Sequence, residues 1–166
     1  MSKKYNVGVI GYGWVATAHI PAINATGKAR VTAIYSSRPL DEAALSAKYG
    51  HPVKAYSDLS ALLADPSIDA VSVCSYPQDH ARHVIAAARA GKHIIVEKPL
   101  AMSWKDCLAM DKAIRDAKVK SCVCFECRWS SQFLVTKAVI DEGLLGDLHY
   151  GEIDRSEEHT SELQSH

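Results

Sequence analysis

Residues 7–10, Val-Gly-Val-Ile, run straight into Gly11-x-Gly13-x-x-Ala16, and a helix-like stretch follows without a break. A short apolar strand that turns through two close glycines into a helix commits the chain to a crossover unit, which requires a parallel neighbouring strand. Gly11 permits a tight exit from the strand, Gly13 lets a ligand approach the backbone closely, and Ala16 lets the helix lie against the sheet. Trp14 and Val15 open the helix at its positive end, where backbone amides face an anion. Gly8 sits inside the strand and competes poorly for the loop role. A motif in this position, after the first strand and before the first helix, points to the pyrophosphate of a dinucleotide.

The rest of the chain repeats the same alternation. The first helix is expected over residues 14–25, with Val15, Ala18, Ala22 and Ile23 as its apolar positions. Further strands are expected at residues 31–35, 53–56, 70–74, 93–96 and 119–125. Helices fill residues 41–48, 58–63, 79–89 and 103–116, with Asp58 and Ser103 as caps and Asp111 and Arg115 spaced to pair on a wet face. Nearly all-apolar strands need cover on both faces, so the fold class is α/β, a doubly wound parallel sheet. At 166 residues and 48% hydrophobic content the chain buries one good core.

Nineteen basic and nineteen acidic residues cancel, which gives no electrostatic reason to expect nucleic acid or an anionic membrane as partner. No apolar run reaches the length of a membrane span, and no secretory leader pattern opens the chain. Five cysteines are an odd number in a domain too large to need staples, which favours a reducing, cytoplasmic setting. Cys122 and Cys124 alternate along an expected core strand, so reduced, buried packing is preferred to a zinc site with Cys127, and no metal is expected. His80 and His93 are expected to flank the ligand edge, and His19 reads as a structural hydrogen-bonding residue.

Two segments refine the ligand. The second strand ends Tyr35-Ser36-Ser37-Arg38, with nothing acidic before Asp41. A carboxylate there would accept from ribose hydroxyls and repel a 2′-phosphate, whereas Ser36 and Ser37 offer hydroxyls and Arg38 offers a planar cation. NADP is therefore preferred, with NAD as the alternative. In Ala90-Gly91-Lys92-His93-Ile94-Ile95-Val96-Glu97-Lys98-Pro99 an apolar strand delivers Glu97 and Lys98 to the carboxyl edge of the sheet. An ammonium at that edge can donate to a substrate oxygen and exchange a proton with it as alcohol and carbonyl interconvert.

Taken together, the glycine loop with His19 and Pro21 behind it, Ser37-Arg38, the Tyr76-Pro77-Gln78-Asp79-His80 turn and Glu97-Lys98-Pro99 resemble the glucose-fructose oxidoreductase, inositol dehydrogenase and rhizopine-catabolism family. That resemblance implies an NAD(P)-dependent oxidoreductase acting on a sugar, polyol or related carbonyl compound, and a homo-oligomeric parent. It implies that Lys98 engages the reacting hydroxyl and that Glu97 lies by the nicotinamide. It further implies that Cys74, Ser75, Tyr76 and Pro77, with His80, line the inner ribose side. Arg128 resembles the arginine that follows the sixth strand, where the family's substrate domain begins.

The expected domains are residues 1–125 for the dinucleotide, residues 126–154 as the start of a substrate domain, and residues 155–166 as a non-native tail. In the second of these a helix over 129–142 would bury Phe133, Ala138 and Ile140, and a strand would follow at 148–154. The tail is similar to the translation of a widely used sequencing adapter, and the truncated chain is expected to bind cofactor without turnover. A dinucleotide-binding sensor without chemistry stays open as the alternative, since fold alone does not choose a reaction.

Overall fold

The computed structural model describes residues 3–152. Six strands, β1 (Tyr5–Ile10), β2 (Ala29–Tyr35), β3 (Lys54–Tyr56), β4 (Ala70–Val73), β5 (His93–Glu97) and β6 (Ser121–Cys124), form one sheet in the order β3-β2-β1-β4-β5-β6. All five neighbouring pairs are parallel. The helices between them are α1 (Trp14–Ala25), α2 (Glu42–Tyr49), α3 (Leu59–Ala64), α4 (Pro77–Arg89) and α5 (Trp104–Ala117).

The helix ends follow local chemistry. Asp41 accepts from the amides of Ala43 and Ala44, Asp58 from that of Ser60, and Ser103 from that of Asp106. Gly50 stops α2 in the left-handed conformation, with its amide on the Ser46 carbonyl. Arg115 donates to both Asp111 oxygens on the wet face of α5.

Two apolar layers sandwich the sheet. Ala16 and Ile20 of α1 and Leu45 of α2 pack with Val7, Val9, Val31 and Ile34 on one side. Leu62, Val84, Ala87 and Met110 pack with Val71, Val73, Ile94 and Val96 on the other. The buried face of α1 thus carries Ala16 and Ile20, while Ala18 and Ala22 point to solvent. Of the expected positions, Val15 and Ile23 are half-buried against this core, whereas Ala18 and Ala22 are not part of the buried face.

Cys122 also departs from expectation. β6 is the edge strand, and Cys122 is exposed rather than buried. Ile95, Cys122 and Cys124 face away from the α4 and α5 core, on the side where α1 reaches only as far as Glu97.

The chain divides into two compact units, one up to Phe125 and one from Glu126 onward. Within the second, a 3-10 turn at Glu126–Trp129 leads through Ser130, whose hydroxyl caps the amide of Phe133, into α6 (Ser131–Asp141). Phe133, Ala138 and Ile140 are exposed, contrary to expectation, because no strand among the described residues of this unit covers them. The strand expected at 148–154 is not formed over residues 148–152, since no second strand exists among the described residues of this unit to complete a ladder. The expected tail at 155–166 lies outside the described residues.

Candidate active site

Strand order reverses between β1 and β4, and the loops leaving these two strands touch. Gly11 has φ +92, and a Cβ there would lie 2.8 Å from both the amide nitrogen and Cα of Ser75. Only glycine fits, both for the positive φ and for the backbone of the β4 loop beside it. Gly13 differs: its backbone is extended (φ −105), and a Cβ would meet nothing within 4 Å. The space beside Gly13 is open, and Gly13 caps α1 with no side-chain hydrogen bond and no acid in the first turn. Amides and helix dipole therefore face outward unmatched, a cradle that fits a diphosphate. Ala16 is fully buried, Val15 half-buried and Trp14 exposed at the mouth.

The β2 end closes over the same loop. Ser36 is buried and its hydroxyl accepts from the Arg38 amide at 3.1 Å, which folds the turn back. Arg38 then donates through Nη2 to the Tyr12 carbonyl at 3.4 Å, so its guanidinium lies against the glycine loop, with Ser37 exposed next to it. Tyr12 is held from below: its hydroxyl pairs with that of Tyr49 at 2.9 Å and accepts from Lys48 Nζ at 3.1 Å. Burial, with the Tyr12 hydroxyl, raises the Tyr49 phenol above its ordinary value.

His80 is wholly buried, with Nε2 3.0 Å from the Ser75 carbonyl and Nδ1 2.8 Å from the Pro99 carbonyl. It fixes the β4 and β5 loops to each other and thereby acts as a positioning residue. Ser75 also pairs through its hydroxyl with His83 Nδ1 at 2.8 Å, and burial pushes His83 down to about 4. Tyr76 stands exposed at the cap of α4, whose first residue is Pro77. Cys74 is buried, and burial pushes its thiol up to about 12. His93 opens β5 at the amino edge, where its Nδ1 accepts from the Lys120 amide, so it lies at the opposite edge from the one expected.

Glu97 ends β5 and Lys98 follows, exposed at the carboxyl edge, with the Lys98–Pro99 peptide cis. One Glu97 oxygen accepts from the Lys98 amide at 3.0 Å and the other pairs with His19 Nε2 at 2.8 Å. His19 Nδ1 in turn lies 2.9 Å from the Ser72 hydroxyl. Nε2–H donates to the Glu97 carboxylate, and Nδ1 shares a hydrogen bond with the Ser72 hydroxyl. A serine on β4, a histidine on α1 and a glutamate on β5 thus hold the start of the lysine segment. The sequence reading placed His19 as structural but overlooked Ser72, although one hydroxyl between Val71 and Val73 in a buried strand is an anomaly that asks for a partner. Arg128 lies in the 3-10 turn of the second unit.

A switch-point crevice floored by a glycine turn, an uncapped helix and a lysine at the carboxyl edge defines a dinucleotide-binding Rossmann protein. Residues 5–125 match the family model described as "Oxidoreductase family, NAD-binding Rossmann fold", and the chain belongs to this GFO_IDH_MocA family. It is 31% identical over 141 residues to the inositol 2-dehydrogenase of Rhizobium meliloti, covering 85% of this chain and 42% of that protein. It is 34% identical over 143 residues to the myo-inositol 2-dehydrogenase of Thermotoga maritima, covering 86% of this chain and again 42% of the relative. Among solved structures, the WlbA dehydrogenase of Bordetella pertussis in complex with NADH and UDP-GlcNAcA superposes with a TM-score of 0.77 at 31% identity, covering 87% of this chain and 44% of that one. The chain therefore spans well under half the length of these relatives. Among the described residues no helix is long and apolar enough to cross a membrane.

Proposed function

We propose that this chain is the dinucleotide-binding portion of an oxidoreductase that moves hydride between a nicotinamide and a sugar, polyol or related carbonyl compound. The observation that carries the reading is the contrast between the two loop glycines: one is filled by protein backbone, the other opens onto space before an uncapped helix. Gly11, Gly13, Trp14, Val15 and Ala16 would hold the diphosphate, and Ser36, Ser37 and Arg38 the adenine ribose. The Cys74-Ser75-Tyr76-Pro77 backbone, with His80 behind it, would line the inner ribose side, and Glu97 would lie by the nicotinamide. A bound nicotinamide dinucleotide supplies the hydride donor or acceptor. Lys98 would donate from Nζ to the substrate oxygen and hold the proton that this oxygen gives or takes. Arg128 is assigned to the substrate side by family resemblance alone.

NADP is the preferred form, because Arg38 rather than a carboxylate stands at the end of β2. The relatives named for inositol make a polyol the first substrate to test, and the setting is a reducing cytoplasm.

The test is a titration of NADPH and NADH into the chain, followed by nicotinamide fluorescence. Both should bind, and Arg38→Ala should weaken NADPH by about ten- to a hundredfold, as expected for one charge-assisted contact, while leaving NADH within about twofold. Equal losses for both would remove the NADP assignment, and no binding of either would remove the dinucleotide reading.

A further inference from the structure

We propose that His19, Glu97 and Cys124 form a binding site for one zinc-class divalent cation on the α1 side of the sheet. Glu97 and Cys124 are register partners on β5 and β6, so their side chains rise next to each other on one face. α1 brings His19 onto the pair, and the three ligating atoms all lie within 4.8 Å of one another. Bonds of about 2.0–2.3 Å in a tetrahedral site place ligand atoms about 3.5 Å apart, so the 2.8 Å His19–Glu97 pair opens slightly, exchanging its hydrogen bond for the metal, while rotation of the side chains brings Cys124 to the same spacing. All three residues are half-buried, and the site lies within the first unit.

The donor mix is informative. Imidazole nitrogen, carboxylate oxygen and thiolate sulfur together suit zinc or cobalt and disfavour magnesium or calcium, which take oxygen only. His19 is already oriented by Ser72 at its far nitrogen, the outer hydrogen bond that metal-bound imidazoles use to fix ring and tautomer. On binding, the His19 proton moves from Nε2 to Nδ1, where Ser72 Oγ accepts it. The Cys124 thiol releases its proton to solvent, so each ion taken up frees one proton and no electron is exchanged. Cys74 lies behind Ser72, its Sγ 3.5 Å from the Ser72 hydroxyl, and stands outside the group of three ligand atoms.

The experiment is a titration of Co2+ into the whole chain in a non-coordinating reductant, reading the thiolate-to-cobalt charge-transfer absorption. One ion per chain should saturate the band and Zn2+ should bleach it. Cys124→Ser should abolish the band and His19→Asn should weaken binding by about tenfold or more, whereas Cys122→Ser and Cys127→Ser should leave it intact. A band that survives Cys124→Ser, a band lost in Cys127→Ser, or no sulfur band at all overturns the site. Alkylation of the unaltered chain with and without Zn2+, mapped by peptide mass spectrometry, gives a reading that does not depend on a variant folding. Selective protection of Cys124 over Cys122 supports the site, and equal labelling overturns it.

Discussion

Gly11 and Gly13 separate two uses of the same residue type, and substitutions should divide accordingly. Gly11→Ala forces a Cβ to 2.8 Å from the Ser75 backbone at a positive φ, and should cost about 3 kcal/mol or more, measured by urea unfolding. Gly13→Asp places its Cβ in open space and adds a capping carboxylate, so unfolding free energy should hold or rise by about 0.5 kcal/mol. Dinucleotide affinity should nevertheless fall by about a hundredfold or more, because an anion then occupies the phosphate seat. Undiminished binding by Gly13→Asp would show that the seat lies elsewhere. The placement of these glycines, Arg38 and Lys98 at the carboxyl ends of strands was legible in the sequence because each is local to a strand end. The Ser72, His19 and Glu97 contacts were not, since they join residues 53 and 78 positions apart and only the folded sheet brings them together.

At the level of elements, α4 carries a titratable buried ring. Unfolded, His83 takes up its proton near 6.5, but in the fold only near about 4. Between those values the unfolded chain binds more protons, so stability should fall as pH drops from 6.5 towards 4, by up to about 3 kcal/mol. Urea midpoints at neutral and mildly acid pH measure this, and His83→Gln should flatten the slope. A wild-type slope that His83→Gln leaves unchanged would assign the effect to other groups. Lys92, at the amino edge before β5, is buried with its ammonium on the carbonyls of Asp65 at 2.8 Å and Ile68 at 2.9 Å. Lys92→Met should cost about 2 kcal/mol or more by leaving both carbonyls without a donor, and a neutral result would show that water replaces it. Two helix starts were readable because Asp58 and Ser103 announce them chemically, whereas Asp41, expected inside its helix, turned out to be the cap. The α1 face and the edge position of β6 were not, because rotation and strand order are tertiary facts that no local pattern encodes.

For the molecule as a whole, every fully buried apolar side chain of the described residues lies between Val7 and Met110. A chain ending at Phe125 should therefore keep its unfolding transition within about 1 kcal/mol and retain dinucleotide binding, by calorimetry and fluorescence. Leu134, Leu144, Leu145 and Leu148 are exposed in the second unit, and shortening should also reduce dye binding to apolar surface. A collapse of stability on shortening would show that the second unit contributes to the first unit's core. The sheet itself adds a mechanical consequence. α1 begins at the open glycine and, about 8 Å along its axis, carries the histidine that steadies Glu97. One helix thus joins the proposed phosphate seat to the brace for the lysine segment, so a change in helix position at one end should be felt at the other without any loop having to rearrange.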